Sequence, residues 1–248
     1  MNLSERIEQI IKNQVEHAET ITRYREPLVG FASAHDPLFN QLKEIVGNHH
    51  ANPLDLLPEA KTVVSFFLPF TEEIIRSNRR GKEISKEWAV AYIETNALIA
   101  KISETIKNQL EPEDIQVVTE KATHNFNPVD MTSGWSHRSA AYIAGLGTFG
   151  VNHMLITSKG CGGRFGSVII SADIPPSARP REELCRYKRE GNCLFCVNNC
   201  PTKALKIDSF DKFRCYDHVM EVDASFPDLG VCDVCGKCVV GPCAFQAF

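Results

Sequence analysis

The sequence predicts a mixed α/β (α+β) chain in two unequal parts, a larger domain over residues 1–175 and a small cysteine-rich one over residues 176–248. Three observations carry this. Helical and strand-like periodicities follow one another through the first part. The run Ile174-Pro-Pro-Ser-Ala-Arg-Pro180 holds adjacent prolines that neither helix nor sheet continues, so it reads as a linker. Nine of the 10 cysteines then fall between Cys185 and Cys243.

The elements follow in order. Leu3, Ile7, Ile10, Ile11 and Val15 recur at helical spacing, which predicts an amphipathic helix reaching to about residue 22. Residues 27–58, rich in Gly, Pro, Asn and His, read mainly as loops with short elements. Thr62-Val-Val-Ser-Phe-Phe-Leu68 is β-branched and aromatic and stops at Pro69, as a buried strand does. A long helical pattern covers about Ser85 to Leu110, and Ile115 to Thr119 reads as another strand. Ser136 to Ala144 is a small-residue helix with Gly145 as its C-terminal cap. Strand-like runs follow at His153–Thr157 and Ser167–Ser171. Beyond the linker, periodic pattern fades. A segment that short is not held by hydrophobic burial alone, so metal ligation is expected to help fold it.

With 248 residues, 43% hydrophobic and 23% charged, the chain is predicted to be a soluble globular protein with a substantial core. A net charge of −4 gives no basis for a strong non-specific grip on nucleic acid or anionic lipid. The N-terminus lacks an apolar signal core, and the longest apolar run falls short of the ~20 residues of a membrane helix. These features predict a cytoplasmic protein with no membrane partner. In a reducing compartment, cysteines this numerous are metal ligands rather than disulfides.

Cys193-Leu-Phe-Cys196-Val-Asn-Asn-Cys200-Pro201 is a C-x2-C-x3-C-P run, the last three ligands and the trailing proline of a bacterial ferredoxin signature. About forty residues on stand Cys232, Cys235, Cys238 and Cys243, with Cys215 in between. The pattern predicts a ferredoxin-like domain holding two 4Fe-4S clusters. In two-cluster ferredoxins the fourth cysteine of each run crosses to the other cluster. On that logic Cys193 and Cys196 serve one cluster and Cys200 the other. The regular first ligand position is occupied by Glu190, and Cys185 is its substitute. A simple repeat would use Cys232 and omit Cys215. C-x2-C pairs also suit tetrahedral zinc, but the C-x3-C-P run and the lack of paired histidines favour iron–sulfur. Cys161, between two glycines, reads as an ordinary thiol.

Gly145-Leu-Gly147-Thr-Phe-Gly150 matches G-x-G-x-x-G. It follows a helix, leads into a strand, and has no acidic residue about twenty positions on, so the dinucleotide reading fails. A tight turn with positive φ is the plain reading. A backbone brought close to a flat, bulky ligand is the functional one.

The block Ala144-Gly-Leu-Gly-Thr-Phe-Gly-Val-Asn152, then Leu155-Ile-Thr157, Gly166-Ser-Val-Ile169 and the cysteine region, resembles the epoxyqueuosine reductase family, whose relatives include the reductive dehalogenases. Asn52 to Val64 resembles the family's N-terminal segment, so the likeness covers nearly the whole chain. The resemblance implies a cobalamin held base-off over a cobalamin-binding-like N-terminal domain and fed low-potential electrons through two clusters. It implies Cys185, Cys193, Cys196 and Cys243 for one cluster. Arg214-Cys215-Tyr216 matches the family's intervening ligand stretch, which gives Cys200, Cys215, Cys235 and Cys238 to the other and leaves Cys232 spare. It also implies Asp130 as proton donor, and Gly145, Gly147, Gly150 and Asn152 beside the cofactor.

The family's acidic–arginine pair is replaced here by Ser136-His137-Arg138. His137 is a second candidate proton donor, or else a helix-start residue bonded to backbone. Arg138 suits a phosphate or carboxylate of a corrinoid side chain, or a surface salt bridge. The sequence stops five residues after Cys243, where the family continues into a helical region that helps hold tRNA. The expectation is therefore a short form, with tRNA not among its partners. The expected function is a cobalamin-dependent iron–sulfur oxidoreductase that draws on a ferredoxin- or flavodoxin-type donor and reduces an unknown substrate. The alternative is a non-catalytic electron-transfer partner that reduces another corrinoid protein or redox enzyme. A zinc-stabilised binding module is the remaining reading.

Overall fold

All eight residues from Thr62 to Pro69 are buried, and the rest of the framework is arranged around that strand. The structure is a computed structural model that describes residues 1–121 and 126–247. Its strands are β1 (Leu28–Ser33), β2 (Thr62–Pro69), β3 (Val117–Thr119), the hairpin β4 (Phe126–Asn127) with β5 (Thr132–Ser133), the hairpin β6 (Gly147–Phe149) with β7 (Leu155–Thr157), and β8 (Gly163–Ile170). Four of them form one sheet in the order β1-β2-β8-β3. Each pairing is antiparallel, with Val64 opposite both Phe31 and Val168. The domain is therefore α+β in the strict sense.

Alternate residues of a strand face opposite sides of its sheet. Val64, Phe66 and Leu68 enter one core, and Val63 and Phe67 enter two others on the opposite side. A strand apolar on both faces requires cover on both, and the helices supply it. They are α1 (Leu3–Glu16), α2 (Pro37–Ile45), α3 (Pro53–Leu56), α4 (Glu72–Arg79), α5 (Lys86–Leu110) and α6 (His137–Ile143). Ile7, Ile10 and Ile11 of α1 pack with Leu98, Ile102 and Ile106 of α5 on one face. Phe39 and Leu42 of α2 pack with Ala140 and Ile143 of α6 on the other. Each of these Ile, Leu and Phe side chains contributes about 1.5–3 kcal/mol on burial.

Two expectations need correction. The first helix stops at Glu16, well before residue 22. The next segment is drawn away because the Ile21 and Thr22 amides donate to the Glu94 carboxylate at 3.0 and 2.7 Å. Residues 27–58 hold a full-length sheet strand and a nine-residue helix.

The C-terminal part contributes α7 (Arg186–Glu190), α8 (Phe195–Asn198) and α9 (Lys212–Ser225), joined by irregular loops. Its apolar residues share a core with the first part: Phe70, Ile75 and Trp88 pack with Val222, Val239 and Val240. Two cations tie the parts together. Arg25 donates to the carbonyls of Phe70, Lys159 and Phe245 at 2.7–2.8 Å. Lys237, 1% exposed, donates to the carbonyls of Asn78, Arg80 and Gly81 where α4 ends. Among the described residues no helix is long and apolar enough to cross a membrane.

Candidate metal centre

The cysteines come from separate elements. Cys196 lies in α8, Cys193 just before it and Cys200 just after. Cys215 rides on α9, Cys235 and Cys238 flank a turn in which Gly236 has φ +70°, and Cys243 follows Pro242. Their mutual effects sort them into two groups. Burial pushes Cys196 up to about 12, and the Cys243, Cys185 and Cys193 thiols add to the rise. Burial pushes Cys215 up to about 11, reinforced by Cys235 and Cys200. Cys238 is raised by burial, then by Cys235, Cys215, Cys196 and Cys200, so it stands where the groups meet. The two groups adjoin, since Cys200 sits in a small core against Cys196 as well as Cys215 and Cys238.

Cys232 is elsewhere. It is buried with Ala89 and Tyr92, and after burial its thiol is raised by Asp223 and Asp233. Its amide donates to Asp223 at 2.6 Å.

A small cavity of about 20 Å³ is lined in part by Cys185, Cys193, Cys196, Cys238, Cys243 and Asn152. Among the described residues no three His, Cys, Asp or Glu side chains converge tightly enough for a single metal ion. Thiolates around one zinc each lie about 2.3 Å from it, closer together than thiolates at the corners of an iron–sulfur cube. Burial makes Cys196, Cys215, Cys235 and Cys238 reluctant to ionise, so these thiols keep their protons until a metal displaces them. The donor set and its grouping fit clusters.

The glycine block is spoken for by the protein itself. Gly145 has φ +80°, and a Cβ there would lie 2.6 Å from the Ala178 carbonyl oxygen. A Cβ on Gly147 would lie 2.0 Å from the Ile156 carbonyl oxygen, and one on Gly150 2.7 Å from Asn152 Oδ1. These glycines pack the chain against itself at close range, as a tight turn requires. Asn152 is buried and turns inward, its Nδ2 donating to the Cys238 carbonyl at 3.1 Å.

His137 opens α6 and is also a core residue. Trp135 Nε1 donates to Ser167 Oγ at 3.0 Å, and that hydroxyl lies 2.7 Å from His137 Nδ1. Nε2 lies 3.1 Å from the Lys121 carbonyl, which only accepts, so Nε2 carries the proton and Nδ1 accepts from Ser167. Burial pushes His137 down to about 4. It is a neutral, fully engaged ring, not a poised proton donor. Asp130 is fully exposed, accepts from the amide and hydroxyl of Thr132, and is held below the usual carboxylate range chiefly by that hydroxyl. It is ionised at neutral pH.

Arg138 keeps contact with solvent at its surface, while the protein around it strips hydration and lowers its pKa; Cys238 opposes that effect and Arg164 adds to it. Its Nη1 donates to the His153 carbonyl at 3.1 Å. Arg164 stacks 4.2 Å over the Tyr92 ring, and its Nε is buried with no partner. Among the described residues neither guanidinium forms a salt bridge. Sequence reasoning missed Arg164, which stands in a strand with no motif around it. It also missed the contact of Cys161 with Cys243, although the glycines on either side of Cys161 hinted at a close approach.

No protein-family model matches the chain. A curated epoxyqueuosine reductase from Staphylococcus aureus (strain NCTC 8325 / PS 47) is 25% identical over 242 residues, covering 84% of this chain and 58% of the relative. The chain is similar to the epoxyqueuosine reductases. It spans less than two thirds of that relative's length. Among solved structures, a selenomethionine-labelled epoxyqueuosine reductase matches with a TM-score of 0.61 at 20% identity, over 100% of this chain and 68% of that one. An epoxyqueuosine reductase with an epoxyqueuosine-modified tRNA-Tyr stem loop gives 0.60 at 20% identity, with the same coverage. A reductive dehalogenase, whose structure suggests a mechanism for B12-dependent dehalogenation, gives 0.53 at 16% identity, over 83% of this chain and 28% of that one. The epoxyqueuosine reductase-like chain and these structures share a mixed α/β fold.

Proposed function

We propose that the chain is a cobalamin-dependent iron–sulfur reductase with two 4Fe-4S clusters, one held by Cys185, Cys193, Cys196 and Cys243 and the other by Cys200, Cys215, Cys235 and Cys238. The observation that carries the reading is the sorting of the thiols: Cys196 feels Cys243, Cys185 and Cys193, whereas Cys215 feels Cys235 and Cys200. A low-potential carrier of the ferredoxin or flavodoxin type is the electron donor.

A base-off cobalamin, when bound, supplies the substrate-reducing chemistry that one-electron clusters lack. Arg138 and the partnerless Arg164 Nε are the donors that would hold its phosphate or amide groups. Neither Asp130 nor His137 is poised to give a proton at neutral pH, and this favours the second reading, a non-catalytic partner that passes electrons to another redox protein. The net charge of −4 supports a substrate other than tRNA. Binding of a modified stem loop in a gel-shift assay would overturn that choice.

The deciding experiment is anaerobic purification with iron counting and EPR. About eight irons per chain are expected from two cubes. Cys215→Ser should remove one cluster, while Cys232→Ser should leave both. A colourless, zinc-loaded protein would overturn the assignment. Added cob(II)alamin giving a five-coordinate base-off EPR signal supports the enzyme, and absence of binding leaves the electron carrier.

A further inference from the structure

We infer that the Cys161 thiol is a hydrogen-bond donor to the Cys243 sulfur, positioned to raise the reduction potential of the cluster that Cys243 helps to hold. The inference rests on the cluster assignment above and adds a residue to it.

The two segments run side by side. Cys161 N donates to the Cys243 carbonyl at 2.9 Å, and Gly162 N donates to the Ala244 carbonyl at 3.1 Å. Gly160 permits this approach, because it has φ +83° and a Cβ there would lie 2.3 Å from the Ala244 oxygen. The side chains then meet with the sulfurs 3.7 Å apart, and Cys161 is 1% exposed. The other acceptor near that thiol is the Val239 carbonyl at 3.8 Å. Asn152 fixes the arrangement from behind, its Nδ2 standing 3.9 Å from Cys161 Sγ and 3.1 Å from the Cys238 carbonyl. One side-chain amide therefore touches the thiol and the loop of a ligand assigned to the other cluster.

Cys161 is not itself placed as a ligand. Cys243 lines the cavity among the other thiols, and Cys161 stands behind it. Thiolates on separate corners of a cube are farther apart than two sulfurs in contact. Once Cys243 gives up its proton to bind iron, its sulfur only accepts, and Cys161 is left as the donor of the pair. A reduced cluster carries one more negative charge, partly on its sulfurs. A donor aimed at a ligand sulfur stabilises that state and raises the potential.

The test uses the full chain, reconstituted anaerobically, as wild type, Cys161→Ala and Cys161→Ser, with iron counting and an EPR-monitored redox titration. Cys161→Ala is expected to keep both clusters and move one midpoint to more negative potential while the other stays. Cys161→Ser, which retains an O–H donor, is expected to recover most of that shift. Unchanged midpoints in Cys161→Ala with full iron would overturn the inference. So would loss of half the iron in both variants, which would make the sulfur itself a ligand. A wild type without clusters would remove the cluster assignment as well, and its iron count separates that outcome from the first two.

Discussion

Burial decides what His137 can do. Its ring is locked between Ser167 and the Lys121 carbonyl and is held neutral with a pKa of about 4, against an ordinary value of 6.5. The folded value lies below the unfolded one, so this residue's stabilisation is complete above about pH 6.5 and is lost as pH falls toward 4. The loss amounts to about 3 kcal/mol at most. Denaturant unfolding at pH 7 and pH 4.5 should show that loss in the wild type and a smaller one in His137→Gln. An equal pH dependence in both would refute the assignment.

Lys237 is the second residue whose burial matters. Lys237→Met leaves the carbonyls of Asn78, Arg80 and Gly81 without their donor. The expected cost is about 1–3 kcal/mol, read as a lower Tm. Faster iron loss should accompany it, because Lys237 sits between Cys235 and Cys238.

At the scale of elements, the β6–β7 hairpin tolerates no side chain at Gly147, where a Cβ would meet the Ile156 carbonyl at 2.0 Å. Gly147→Ala should cost near the upper end of the roughly 1–3 kcal/mol of overpacking, measured by urea unfolding. Elements with complete burial signals were legible. β2 reads as a buried strand because five of its eight residues are β-branched or aromatic, and α5 because apolar residues recur along its 25 positions. Gly145 was legible as a cap from its place after α6, and its φ of +80° bears this out. α9 was not legible, since Val222 is its one buried residue and it carries no apolar stripe. The site was uneven in the same way. The ligand thiols carry a spacing, whereas Arg164 and the Cys161 contact are made by distant segments that leave no local pattern. Asp130 was placed by likeness and His137 by the chemistry of its imidazole, and solvent and packing then set their charge states.

At the scale of the molecule, the larger core of the cysteine-rich part is shared with the first part, since Val222, Val239 and Val240 pack with Phe70, Ile75 and Trp88. Iron removal should therefore lower Tm in a single transition for the whole chain, followed by circular dichroism. Two separate transitions would show the parts to be independent. The chain also carries a built-in luminescence gauge. Of its 2 tryptophans, Trp135 is stacked between Phe39 and His50 on the far side of the sheet. The indole of Trp88 instead lies so close to Gly236 that a Cβ there would be 2.4 Å from it, one residue from Cys235. Trp88 emission should be quenched by a nearby absorbing cluster and brighten as iron leaves, so in Trp135→Phe a fluorimeter would follow cluster assembly in real time without an added dye.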